Sequence, residues 1–159
     1  MKRTIFIIST VILMSICTYL LVQNSIYLLT KPESIMDYKI DYFNNVTEQF
    51  KTFDEVKEIA EKCSNYEYKV ICVFNSIPFN YDEERAKFSN DNMHNLVLTP
   101  EHQMKTGLSI CRDISIFRKS VLNEMGIESY LILKPEHVYL IAIENNQKYE
   151  LNNQFMRII

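Results

Sequence analysis

The sequence predicts an α+β fold, in which helices are followed by a small antiparallel sheet and preceded by an N-terminal transmembrane helix. Three observations carry this prediction. From Met36 to Met125, apolar residues recur mostly at steps of three and four, the period of an amphipathic helix. After Gly126 the pattern becomes extended, with short turns between β-rich runs. Before both, Thr4 to Val22 carries no charge and has roughly the 20 residues needed to cross a bilayer.

Lys2 and Arg3 precede that apolar run, so the positive-inside tendency leaves the N-terminus in the cytoplasm and the remainder outside. A cleaved signal peptide is the alternative, with secretion as its outcome. Its apolar region is typically about 7–15 residues and ends in a small-residue site. Here the run is longer, and Val22-Gln23-Asn24 is a poor site. A retained single-pass signal anchor over residues 1–23 is the expectation. It would be followed by a helical extension over 24–64 and a main domain over 65–159.

In the first helix Ile40, Phe43, Val46, Phe50 and Phe53 continue a stripe from Met36, after Pro32. Thr52-Phe53-Asp54-Glu55 has the form of a capping box, so a second helix should begin there, with Val56, Ile59, Ala60 and Cys63 inward. Ser64-Asn65-Tyr66-Glu67 repeats the form and opens a third, with Val70, Val73, Phe74 and Ile77 inward before Pro78. These stripes read as core. Phe79 to Leu98 is polar and rich in turn residues, and reads as a long surface loop. Thr99-Pro100-Glu101 then supplies an N-cap, an N1 proline and a first-turn acid for a short helix that Gly107 ends.

The next helix starts at Cys111 and runs through Ile114, Phe117, Val121, Leu122 and Met125 to Gly126. Beyond it, Ser129–Lys134, His137–Glu144 and Lys148–Leu151 are strand candidates, turned at Pro135-Glu136 and Asn145-Asn146.

Composition narrows the function classes. The net charge is −3 from mixed signs, and no basic patch is interleaved with aromatics, which argues against nucleic acid. The four cysteines form no CxxC, and His94, His102 and His137 are scattered, so neither a metal site nor a cofactor is expected. On export, Cys63 and Cys72 could form a disulfide. If they lie on successive helices, ordinary burial is the expectation, because bridging needs Cα atoms within about 7 Å.

Cys111 is the chemical candidate. The first-turn N–H groups of a helix lack intrahelical partners, and its dipole is positive there; both favour a thiolate, the nucleophilic form. A lone Cys on an apolar helix face is otherwise a small buried hydrophobe. A thiolate needs a base to carry its proton and a third group to orient that base. His137 opens a strand, and Asn152 ends the neighbouring one, so antiparallel pairing can bring them together. Asn153 is a rival for that place, but strand alternation lets only one of the two face the histidine. Arg112 and Asp113 read as a solvated or salt-bridged pair without a catalytic part, His94 and His102 as surface residues, and Tyr139 as packing beside His137.

Several stretches between Ile77 and Asn152 resemble the transglutaminase-like superfamily, including its bacterial cysteine-peptidase type. They are Ile77-Pro78-Phe79-Asn80-Tyr81-Asp82, the helix from Thr99 to Gly107, Cys111-Arg112-Asp113-Ile114-Ser115 with its Gly126-Ile127 exit, His137-Val138-Tyr139-Leu140 and Tyr149-Glu150-Leu151-Asn152. The resemblance implies a papain-like/transglutaminase-like core, with Cys111 as nucleophile, His137 as general base and acid and Asn152 as orienting residue. The chain departs from the family pattern in two places. Ser109 stands where a glycine is usual, and Asn152 stands where the family usually has Asp. The implied activity is a membrane-anchored thiol enzyme facing outward. It would act on amide or peptide bonds of a protein or peptide through an acyl-enzyme, with hydrolysis favoured over cross-linking. The alternative is a silent fold of the same type used for binding or assembly.

Overall fold

A computed structural model describes residues 35–92 and 96–159. The expected membrane anchor, Cys17 and His94 lie outside the described residues. Among the described residues no helix is long and apolar enough to cross a membrane.

The chain runs α1 (Ile35–Phe50), α2 (Asp54–Ser64), α3 (Lys69–Ser76), β1 (Asn80–Tyr81), α4 (Glu83–Asn92), α5 (Pro100–Thr106) and β2 (Leu108–Ser109). It continues with α6 (Cys111–Glu124), β3 (Glu128–Lys134), β4 (His137–Glu144), β5 (Gln147–Leu151) and β6 (Met156–Ile158). β1 and β2 pair in parallel. The other four strands form one antiparallel sheet in the order β3-β4-β5-β6. The α+β expectation therefore holds for the described residues.

α6 is the centre. It packs on β3 and β4 on one side and on α2 and α3 on the other. Ile114, Ile116, Phe117, Val121 and Leu122 have no exposed surface. Phe43, Val46 and Phe50 of α1 join the same buried cluster, as do Val56 and Ile59 of α2. A helix surrounded on all sides is ordinarily apolar all round. This one instead buries Arg112, Asp113, Ser115, Arg118, Lys119 and Ser120, so each needs a partner inside the protein. Lys119 finds its partners in the Ser129 carbonyl (3.0 Å) and Asn123 Oδ1 (3.4 Å). Burial lowers its pKa, and nearby Glu48 partly opposes that.

Several local expectations change. Thr52 does not cap α2: its hydroxyl donates to the Gln49 carbonyl at the end of α1. Ser64 does not open α3: its hydroxyl donates back to Ala60 O, the i−4 bond available to a helical serine. α3 starts later, at Lys69, because its cap comes from across the molecule. The buried Glu144 carboxylate of β4 accepts the N–H groups of Lys69 (3.0 Å) and Val70 (3.2 Å). Cys63 and Cys72 do lie on successive helices, yet they form a disulfide rather than ordinary buried thiols. The short turn between α2 and α3 brings their Cα atoms to 5.5 Å, inside bridging range.

The stretch from Phe79 to Leu98 is not one loop, since α4 occupies much of it. Asp82 Oδ1 accepts the Arg85 N–H (2.9 Å), and Glu83 and Glu84 fill the first turn, which together form a helix start. α5 forms as expected: Thr99 Oγ1 accepts the His102 N–H, and Gly107 ends the helix at φ +68°. The hairpin turn at Asn145-Asn146 has positive φ at both residues, as a type I′ turn requires. β6 was not expected; it pairs with β5 from Tyr149↔Ile158 to Leu151↔Met156.

Two outcomes follow. Glu144→Ala should lower unfolding stability in urea by about 1–3 kcal/mol, because it strands two buried donors; Glu144→Gln keeps an acceptor and should cost less. Equal stability of all three proteins would mean the cap contributes nothing. In peptide mapping without reductant, Cys63 and Cys72 should appear joined while Cys111 is alkylated; free thiol at Cys63 would contradict the bridge.

Candidate active site

Cys111 is the first residue of α6, entered from extended backbone at Ile110 (φ −108°, ψ 171°). Its side chain is half-buried, and it is the free cysteine among the described residues. The start of this helix is held by Asp113, which has no exposed surface. Its carboxylate accepts Arg85 Nε (2.7 Å) and Nη2 (3.2 Å), the Leu98 N–H (3.3 Å) and the Ile110 N–H (3.4 Å). Asp113 thus ties α4, the segment before α5 and the N-cap to the turn that carries Cys111. Arg112 lies 3.6 Å from the same carboxylate and donates to Leu96 O (2.6 Å). Arg85 donates to the same Leu96 oxygen. Arg112 and Asp113 are therefore salt-bridged, not solvated, and Arg85 makes the shorter bridge. Burial lowers the Arg112 pKa; Asp113 opposes this, Arg85 adds to it, and a Cys111 thiolate also opposes it.

His137 opens β4, and Asn152 directly follows β5. His137 Nε2 lies 3.0 Å from Asn152 Oδ1. The proton on this contact can be assigned. Asn152 Oδ1 also receives the backbone N–H of Asn153 at 2.9 Å, so that atom is an acceptor, and the amide is not flipped. His137 Nε2 must then be the donor, which leaves the Nδ1 lone pair of the neutral ring free to take a proton. The His137 ring also stacks on Tyr139, with centroids 6.0 Å apart.

In the turn that carries Asn152, the backbone N–H and C=O of both Asn152 and Asn153 are bonded. The Asn152 N–H donates to Phe155 O (2.9 Å). Its carbonyl accepts Arg118 Nη1 (2.6 Å), and the Asn153 carbonyl accepts Nη2 (3.3 Å). The structure therefore brings Asn152, not its rival Asn153, to the histidine. Asn153 Oδ1 is buried without a partner. Cys111 Sγ has no hydrogen-bond partner among the described residues, His137 included. His102 is exposed on α5. Among the described residues no cluster of His, Cys, Asp and Glu could hold a metal ion.

The segment before Cys111 shows where its glycine and serine sit. Gly107 serves as the left-handed C-cap of α5, where an added Cβ would meet Asn80 Nδ2 at 3.3 Å. Ser109 is a buried residue of β2 paired with Tyr81, and its hydroxyl has no partner. Ser115 and Arg118 escaped notice in the sequence. Their spacing was the available signal, since residues four and seven after Cys111 share its helix face, and both are polar beside an apolar stripe.

No curated protein and no solved structure matches this chain. A family model described as a transglutaminase-like domain matches residues 39–151. The match contains Cys111 and His137, ends one residue before Asn152 and covers well over half of the sequence. The chain belongs to the transglutaminase-like domain family.

Proposed function

We propose that this protein is a thiol enzyme that acts on amide or peptide bonds outside the cytoplasm, anchored by its N-terminal apolar segment. The observation that carries the reading is the His137–Asn152 contact, with its donor direction set by the Asn153 N–H. It assigns Nε2 as the donor, so that in the neutral ring Nδ1 is the nitrogen left to act as the base a thiol nucleophile requires.

Cys111 Sγ would attack the substrate carbonyl carbon while its proton passes to His137 Nδ1. The first-turn N–H of Cys111 would stabilise the oxyanion. Collapse breaks the C–N bond, and the imidazolium returns its proton to the departing amine. Water, deprotonated by the same ring, then releases the acid and the free thiol. An amine in place of water would give a cross-link. Hydrolysis is favoured because water is always present and no amine site is recognisable. The substrate class is a protein or peptide. The disulfide between Cys63 and Cys72 supports an oxidising exterior, since such bonds are rare in reducing compartments.

Asn152 orients the ring without contributing charge, unlike the Asp usual in the family. The ring then lacks a carboxylate to stabilise its protonated state. A second reading has its own observation. Cys111 Sγ has no hydrogen-bond partner among the described residues, as suits a silent fold used for binding. Catalytic contacts often tighten only with substrate bound, which is why the enzyme reading ranks first.

Alkylation of Cys111 by iodoacetamide near neutral pH should be fast in the wild type and slower by about 10²-fold in His137→Ala, as expected for loss of a positioned base. Equal rates in the two proteins would favour the silent fold. Asn152→Asp should extend rapid alkylation to lower pH, because a carboxylate stabilises imidazolium and hence the thiolate paired with it. An unchanged pH profile would mean that position 152 does not act on the ring.

A further inference from the structure

Arg118 is 2 % exposed, and none of the described carboxylates forms a salt bridge with it. Its Nε has no partner, and its guanidinium lies 4.2 Å from the centroid of the Phe74 ring in α3. Burial alone lowers its pKa to about 9, so it stays a cation at neutral pH. A buried cation without an anion is unfavourable, and a structural site would be filled more simply by an apolar side chain. What the cation does touch is specific. Its two terminal nitrogens donate to the carbonyls of Asn152 and Asn153.

Ser115 makes a parallel contact, donating to the Val138 carbonyl (3.3 Å), next to His137. Cys111, Ser115 and Arg118 are spaced four and then three residues apart, on one face of α6. The helix that carries the nucleophile therefore holds the backbone beside the base and the backbone of the orienting residue.

We propose that Arg118, aided by Ser115, is a positioning residue of the thiol site, clamping the Asn152–Asn153 turn so that the Asn152 amide meets the His137 ring. This rests on the thiol-enzyme reading for its purpose, though the clamp itself can be observed separately. The planar fork matters: two carbonyls are bridged at once, which a lysine ammonium on a flexible stem cannot reproduce. The clamp leaves Asn152 Oδ1 free for the imidazole, because it holds only main-chain oxygens.

The test uses the full chain in detergent micelles with ¹⁵N-labelled histidine. In the wild type the hydrogen-bonded Nε2–H of His137 should give a ring N–H signal that survives exchange with water, identified by its loss in His137→Gln. In Arg118→Met that signal should disappear, and Cys111 alkylation should slow by at least about tenfold, as small misplacements in an active site do. Arg118→Lys should recover part of both. Circular dichroism and the intact Cys63–Cys72 bridge report that each variant is folded. A folded Arg118→Met with the wild-type signal and rate overturns the proposal. If Arg118→Met does not fold, Arg118→Lys decides alone, and wild-type behaviour there overturns it equally. If the signal depends on Arg118 but wild-type alkylation does not depend on His137, the clamp stands and the enzyme reading falls.

Discussion

The constraint on which this structure depends is the burial of α6 from Arg112 to Leu122. Every residue of that stretch is buried, yet six of them are polar or charged. With little water in reach, these groups need partners inside the protein: Ser120 bonds back to Ile116 O within the helix, and the others turn to neighbouring segments. Asp113 gathers Arg85, Leu98 and Ile110; Ser115 reaches Val138; Arg118 reaches Asn152 and Asn153; Lys119 reaches Ser129. The polar groups of one helix thereby set the positions of α4, β3, β4 and the turn after β5. Apolar packing of Phe117 and Leu122 would hold the helix against the sheet. It would not choose where along the sheet the helix sits, because dispersion and the hydrophobic effect are non-directional. The hydrogen bonds make that choice.

In the proposed site the third residue is neutral, because Asn152 brings no carboxylate to the His137 ring. With Asn, the orienting group depends on geometry alone. That geometry is over-determined: the donor of Asn152, its carbonyl and its side-chain oxygen are all bonded within the protein.

Much of the fold was readable from local pattern. α6, α5 and strands β3 to β5 followed from periodicity, an N-cap threonine and glycines at left-handed positions, all of which act within a few residues. The pairing of His137 with Asn152 followed from the hairpin between them. What escaped was set at a distance or by backbone. The start of α3 depends on Glu144, about 75 residues away, and no local box could reveal it. α4 was hidden by its polar composition, although Asp82 and two glutamates marked its first turn. Arg118 went unread because its partners are carbonyls, which every residue possesses and no sequence advertises. The bridge between Cys63 and Cys72 was underestimated because the tightness of the α2–α3 turn was not visible.

The Glu144 cap has a bearing on the order in which the molecule assembles. A capping side chain on the same segment is available as soon as that segment is made. α3 borrows its cap from β4, so its first turn gains these partners only when the sheet docks. Until then the cystine and short-range bonds, such as Tyr66 N–H to Cys63 O and Lys62 Nζ to Ser76 Oγ, brace the turn between α2 and α3. The amides of Lys69 and Val70 should therefore report sheet docking, exchanging with solvent when β4 leaves even if the rest of α3 persists. A helix early in the chain would thus carry, at its first two residues, a record of whether the later half has folded.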